Sequence, residues 1–498
     1  MATATATAVE SDLQFSPQAH GKNFNRILGD LKRANLSLGN RLRSIRADAD
    51  FVSSVATSFS GRPVVANERC GSWYVDPALK AASAYFKSTD GHTGQWNFST
   101  RRLNLHLLSL IGKSDGCIVV DSTRRGKAMP DALSKTVPIW CCVLNRVLFP
   151  EEEYAQAGAH ALYTPPAVVS RSEHAQAEAR IADHVEALKG LGVDVDALRS
   201  AVKKPLRPLW ITPDSGGVNP PPIFDDYHPI ICCTSSRRVL GTEMSEGGYI
   251  QGAGDDTENW ALGLTAALFW EHADKLLPMC EDAYPSLGET IEHLVFEHSM
   301  ATRVPILPRT PPLEVAQDLF VGQTPVSGPR DPDQAIITIV PKTTEPYTWV
   351  QSKRRMEVGI GKHRKLAGRN LRTALGPICD FVDAFLARGL KSPDLSPKPR
   401  HILVVCETGK DLSVGVALAI MCRFYDDNGM CIYYLPRGYR GINPADTDTD
   451  AGAEVHGNEN ENVNKALIKR RLSRIMMAFP EANPSRATLQ SVNSYLMG

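Results

Sequence analysis

Long apolar runs are absent from this sequence. No stretch approaches the roughly 18 apolar residues needed to cross a bilayer, which argues against a membrane partner. The start, MATATATAVESDLQF, has neither an apolar core nor a basic flank, so it is not read as a secretory leader. Net charge is missing too: 55 basic residues balance 55 acidic ones. No global field advertises nucleic acid, and any basic surface must be local. The 11 cysteines form no CxxC pair and no Cys/His cluster with zinc spacing. An odd number of cysteines scattered through apolar runs reads as buried, reduced thiols, and places the chain in the cytoplasm, with the nucleus as the alternative.

What remains is an ordinary globular composition, 43% apolar and 22% charged over 498 residues. Residues 1–16 are expected to be disordered. From 17 to about 60 the spacing of Ile27, Leu28, Leu31, Leu36 and Leu38 predicts helix. Buried strands (DGCIVVD, RPLWITPD, HPIICCTSS) then alternate with helical patterns (TRRLNLHLLSLIG, SRSEHAQAEARIADHVEALKGLG, DDTENWALGLTAALFWEHADKLL), as in a parallel α/β domain. VPIWCCVLNRVLF suits helix or strand. Prolines after Thr302 mark a boundary, giving a first domain over 17–302 and a second over 303–498. The acidic, Gly/Asn-rich stretch near 446–464 reads as a disordered insertion.

Several strand ends carry anion-binding chemistry. In HILVVCETGKDLSVGVALAIM a strand delivers Cys406, Glu407, Thr408, Gly409, Lys410 and Asp411 to a loop that opens a helix at Ser413. A loop of backbone amides at a helix N-terminus holds an anion whatever its side chains. Cys406 and Ser413 fit a Cys-x5-Arg phosphatase loop, but Leu412 stands where the arginine would be. A guanidinium fork is what grips the phosphoryl oxygens during hydrolysis. Holding phosphate without cutting it is therefore expected; a ligand-free turn is the bland alternative. CIVVDSTRRGK repeats the plan with Asp121, Ser122, Thr123, Arg124, Arg125 and Lys127, suited to a polyphosphate or an RNA backbone. A solvated basic turn is its alternative. IICCTSSRRV adds Ser235 and Arg237; its Cys232–Arg238 spacing lacks a glycine and a following helix. GAGDDTENW offers Asp255 and Asp256 as a magnesium ligand pair or a general base, against a capping box from Asp255 to Glu258. The loop around His92 and Arg101 mixes aromatic, polar and cationic groups suited to RNA. The densest basic run holds Lys353, Arg354, Arg355, Lys362, Arg364, Lys365, Arg369 and Arg372, with Glu357 its one acid.

STDGHTGQW, DSTRRGKAMPDALSKTVPIW, YIQGAGDDTENWA, CETGKDLSVGVALAI and NPSRATLQSVNSYLM together resemble the initiator-tRNA phosphoribosyltransferase family of fungi and plants, from about His20 to the C-terminus. The resemblance implies an N-terminal α/β transferase domain followed by a dual-specificity-phosphatase-like α/β domain. It implies transfer of ribosyl phosphate from phosphoribosyl pyrophosphate to the 2′-hydroxyl of the purine at position 64 of initiator methionine tRNA. Under it, Asp121, Asp255 or Asp256 becomes base or magnesium ligand, and Ser122–Lys127 with the Cys406 loop become phosphate sites. The basic run becomes the tRNA grip. A phosphatase acting through Cys406 and a non-catalytic tRNA-binding protein are the rival readings.

Overall fold

The computed structural model describes residues 37–303 and 311–498, except 60, 216–223, 241–246, 282–285, 327, 330, 362–363, 389–399 and 435–462. The expected disordered start, most of the acidic insertion and Lys362 lie outside the described residues, as do the side chains of Arg364 and Lys365. Helix Leu287–Arg303 runs through the expected junction at 302/303, and 304–310 also lie outside.

Two sheets organise the chain. The first is five-stranded and fully parallel, in the order β2-β1-β3-β5-β4: β1 Val64–Asn67, β2 Lys80–Ala84, β3 Cys117–Asp121, β4 Leu206–Ile211 and β5 His228–Thr234. Alternation of side chains along each strand feeds two cores. Val65, Val119 and Cys232 face one layer with helix Val137–Leu148 and helix Ile181–Lys189. Ala66, Val120 and Cys233 face the other with helix Leu38–Ser58 and Leu268, Leu276 and Ile291. Both faces are covered, so the strands read as unbroken apolar runs.

The second sheet has six strands in the order β6-β7-β11-β8-β10-β9: β6 Leu313–Ala316, β7 Leu319–Gln323, β8 Gln334–Val340, β9 Val350–Ser352, β10 Arg355–Gly359 and β11 His401–Cys406. The four inner strands are parallel and the two edges antiparallel. Helices Arg364–Ala387, Leu412–Phe424, Lys465–Ala478 and Arg486–Leu496 pack on it.

Three local expectations need correction. The long helix expected from Asp255 is broken: Leu262 and Gly263 take positive φ (52° and 86°), and helix begins only at Ala266. The surface helix of 170–192 is two helices, Arg171–Glu178 and Ile181–Lys189. The basic run of 353–372 is cut by β10 before helix Arg364–Ala387 begins. VPIWCCVLNRVLF resolves as helix.

Candidate active site

In an open parallel sheet the ligand crevice lies at the strands' carboxyl ends, where neighbouring strands leave in opposite directions. Here β1 leads outward to β2 and β3 leads the other way, so that point lies between Asn67 and Asp121. Asp121 is fully buried and heavily bonded. It accepts from Asn67 Nδ2 at 3.0 Å, from Arg69 Nη2 at 3.0 Å, from Cys70 Sγ at 3.1 Å and from the Ser122 amide at 2.8 Å. Arg69 also donates to Asp255 Oδ2 at 3.0 Å and to the Ser122 carbonyl. Burial opposes the charge of Arg69, and the surrounding carboxylates outweigh it and hold the guanidinium ionised. Burial and the same two carboxylates drive the Cys70 thiol far above its ordinary range, leaving it a neutral donor.

Ser122 and Thr123 are buried behind this cluster, and Ser236 Oγ clamps Thr123 through both its amide and its carbonyl. Thr234 Oγ1, Ser235 Oγ and Asp255 Oδ1 are buried with no hydrogen-bond partner. The capping reading of Asp255 and Glu258 fails: only one turn of helix, Thr257–Asn259, follows, and Asp256 takes φ 51° with no capping bond. Asp256 pairs instead with Arg124, and is half exposed.

The remaining basic residues of this region gather in a second place. Gln251 Oε1 accepts from the Gly126 and Val239 amides, Gln251 Nε2 donates to the Lys127 carbonyl, and Arg238 Nε donates to the Gly126 carbonyl. These bonds bring Arg125, Lys127 and Arg238 together with His92 and Lys135 around a cavity of about 770 Å³. Lys135, 8% exposed, lies in a π-turn and meets Asp131 Oδ1 at 3.0 Å and Glu173 Oε1 at 2.9 Å; Lys127 Nζ meets Asp131 Oδ2 at 3.0 Å. Burial would raise the Asp131 carboxyl, but Lys135 and Lys127 pull it below its ordinary value; Lys135 does the same for Glu173. Arg237 turns aside over the Tyr249 ring, 4.5 Å from its centroid.

The Cys406 loop is built as expected. Gly409 makes its turn at φ 67°, where a Cβ would lie 3.1 Å from the backbone of Gly322 and Gln323 of β7. Cys406 Sγ donates to Ser413 Oγ at 3.2 Å. Asp411 is not free to bind a ligand: its Oδ1 accepts from the Ser485 amide at 2.8 Å and from Thr488 Oγ1 at 2.5 Å. Cys406, Thr408, Lys410 and Leu412 line a cavity of about 720 Å³. Lys410 pairs with Glu481.

The two halves meet beside this loop. Arg102 stacks on Tyr85, 5.2 Å from its centroid, and reaches into the second half. There Nη1 donates to the Ala482 carbonyl at 2.7 Å and Nη2 to Asn483 Oδ1 at 2.5 Å. Asn483 in turn donates its amide to the Lys410 carbonyl at 2.7 Å. A groove of about 720 Å³ runs along the junction, lined by Arg69, Lys80, Lys87 and Arg102 from the first half and Lys410 and Asn483 from the second. Lys410 and Asn483 line the Cys406 cavity as well.

Thus the structure brings Asp121, Asp255 and Asp256 within one residue's reach of two arginines, Arg69 and Arg124. The predicted phosphate residues divide: Arg125 and Lys127 share no lining residue with Cys406, Thr408 and Lys410. Arg101, Lys353, Arg369 and Arg372 are exposed; Arg354 donates to the Asp331 carbonyl, and Arg355 opens β10 half-buried. Among the described residues no group of three metal-ligating side chains comes together, and no helix is long and apolar enough to cross a membrane. Arg69, Lys135 and Glu173 were not anticipated as site residues: Arg69 lies 52 and 186 residues from its carboxylates and Glu173 lies 38 from Lys135, so no local pattern links them.

Two α/β halves, each built on its own sheet, define a two-domain α/β protein. Residues 31–295 match the family described as the Rit1 N-terminal domain, and residues 354–496 the Rit1 DUSP-like domain. An uncharacterised protein of Schizosaccharomyces pombe is 34% identical over 466 residues, covering 92% of this chain and 94% of its own. The tRNA A64-2′-O-ribosylphosphate transferase of Saccharomyces cerevisiae is 31% identical over 547 residues, covering 98% of each chain. The crystal structure of human DUSP28 aligns with 37% of this chain at 14% identity and a TM-score of 0.21. The chain belongs to the Rit1 family of initiator tRNA phosphoribosyltransferases.

Proposed function

We propose that this protein transfers a 5-phosphoribosyl group from phosphoribosyl pyrophosphate to the 2′-hydroxyl of the purine at position 64 of initiator methionine tRNA, setting initiator apart from elongator tRNA. The observation that carries this reading is the end-to-end likeness to the yeast transferase, 98% of both chains, with no half missing. In the reaction the bond from ribose C1 to pyrophosphate breaks and its electron pair leaves with pyrophosphate. A bond from the 2′-oxygen to C1 forms, and the hydroxyl proton passes to a base. Cations supply charge stabilisation for the departing pyrophosphate, and a surface orients the RNA.

Of the three carboxylates expected to act, Asp121 has its oxygens occupied and Asp255 is walled off from solvent, so both serve to fix Arg69. Asp256, half exposed and paired with Arg124, becomes the base. The same geometry does not fit a protein-built magnesium site: Asp255 and Asp256 are each committed to an arginine, and magnesium wants several free oxygen ligands. An ion in this reaction would be carried by the pyrophosphate. Two separate basic sites suit two polyanionic substrates, with the exposed cations Arg101, Lys353, Arg369 and Arg372 extending the RNA contact.

Leu412 counts against phosphoester hydrolysis by Cys406. Incubating the full chain with initiator tRNA and donor labelled in its 5-phosphate tests the reading. Label in the RNA with one pyrophosphate released per label is expected. Tight RNA binding with no donor consumed would leave only an RNA-binding protein, and release of free labelled phosphate would revive the phosphatase.

A further inference from the structure

We propose that the donor lies across the junction of the two halves, its 5-phosphate in the Cys406 cavity and its pyrophosphate in the inter-domain groove. This placement rests on the transferase reading above. Two adjoining cavities of about 720 Å³ each share Lys410 and Asn483 as common wall. That is the arrangement a doubly anionic sugar requires, with a phosphomonoester at one end and a pyrophosphate at the other.

The two ends differ in chemistry. At the Cys406 end Thr408 and Lys410 line a cavity at the N-terminus of helix Leu412–Phe424, a setting for the three terminal oxygens of a monoester; the diester links of RNA present only two. At the groove end stand separate cations, Arg69, Lys87 and Arg102, beside two lysines that are paired with carboxylates, Lys80 with Glu68 and Lys410 with Glu481. Arg69 is prevented from rotating by Asp121 and Asp255, so its charge is set in place before any ligand arrives. Arg102 does two tasks: it faces the groove, and it ties the first half to the segment that carries Asn483, whose amide holds the Lys410 carbonyl. Neither half alone would complete the site. Leaving the groove to the donor assigns the third cavity, with Arg125, Lys127 and Arg238, to RNA phosphates.

The test is titration calorimetry of the full-length protein with phosphoribosyl pyrophosphate, beside filter binding of initiator tRNA. Lys87→Glu and Lys410→Glu, both at exposed side chains on opposite walls, are each expected to weaken donor binding by about tenfold or more, with tRNA affinity changed less than about threefold. Arg125→Glu with Lys127→Glu is expected to do the reverse. Donor affinity unchanged in both wall variants, or lost in the Arg125/Lys127 pair, overturns the placement while transfer by the wild type stands. A wild type that neither binds nor consumes the donor would overturn the transferase reading itself.

Discussion

The loops after β3 and after β11 start alike and end differently. Each leaves the carboxyl end of a fully buried parallel strand. The β3 loop is anchored by a buried charge, Asp121, held by Arg69, which is also shared with Asp255. The β11 loop has no such internal ion pair: the Cys406 thiol meets the Ser413 hydroxyl, Asp411 accepts from the Ser485 amide and the Thr488 hydroxyl, and its one cation, Lys410, is on the surface. Removing one partner of a buried ion pair strands a charge, whereas removing one partner of a thiol–hydroxyl contact strands none, so the first loop is the less tolerant of substitution.

Breaking the charged anchor has the largest expected effect. Arg69→Ala leaves two buried carboxylates uncompensated, a cost of about 3–5 kcal/mol, read as a lowered denaturation midpoint in urea. A loss under about 1 kcal/mol would show that Asp121 is satisfied without it. Next comes the outlying Lys135 network. Asp131 and Glu173 have folded pKa values below their ordinary 3.8 and 4.5, so the stability they confer is present above those values and is lost as pH falls through the lower, folded ones. Lys135→Met is expected to remove much of that acid dependence, seen as a flatter profile of unfolding free energy between about pH 5 and 3. An unchanged profile would place the acid sensitivity elsewhere.

At the base, Asp256→Asn is expected to lower the transfer rate by about 10²–10⁴-fold while leaving donor affinity near that of the wild type. Equal loss in affinity and rate would make Asp256 a binding residue. The Cys406–Ser413 contact should be the most forgiving. Cys406→Ser is expected to change stability by less than about 1 kcal/mol and transfer by less than about threefold. A transfer rate abolished by that change would give the thiol a chemical task that the comparison denies it.

Much of the frame was legible because parallel strands buried on both faces write themselves as apolar runs: CIVVD, HPIICCT and HILVVC are β3, β5 and β11. The strand KAASA at β2 carried no such signal, since it is an edge with half-exposed side chains. The backbone break at Leu262–Gly263 was invisible to periodicity, which continues across it. The phosphate loops were legible as local strand–loop–helix sequences. The wiring was not: Arg69 finds Asp121 at a separation of 52 residues and Asp255 at 186, and Arg102 finds Asn483 at 381. Those pairings come from sheet order and domain contact, which no local pattern encodes.

The most direct measurement is a crystal structure of the full chain with a non-reacting analogue of phosphoribosyl pyrophosphate. The expected result is its 5-phosphate in the Cys406 cavity beside Thr408 and Lys410 and its pyrophosphate against Arg69 and Lys87. Density for the pyrophosphate among Arg125, Lys127 and Arg238, with the Cys406 cavity filled only by solvent, would contradict it.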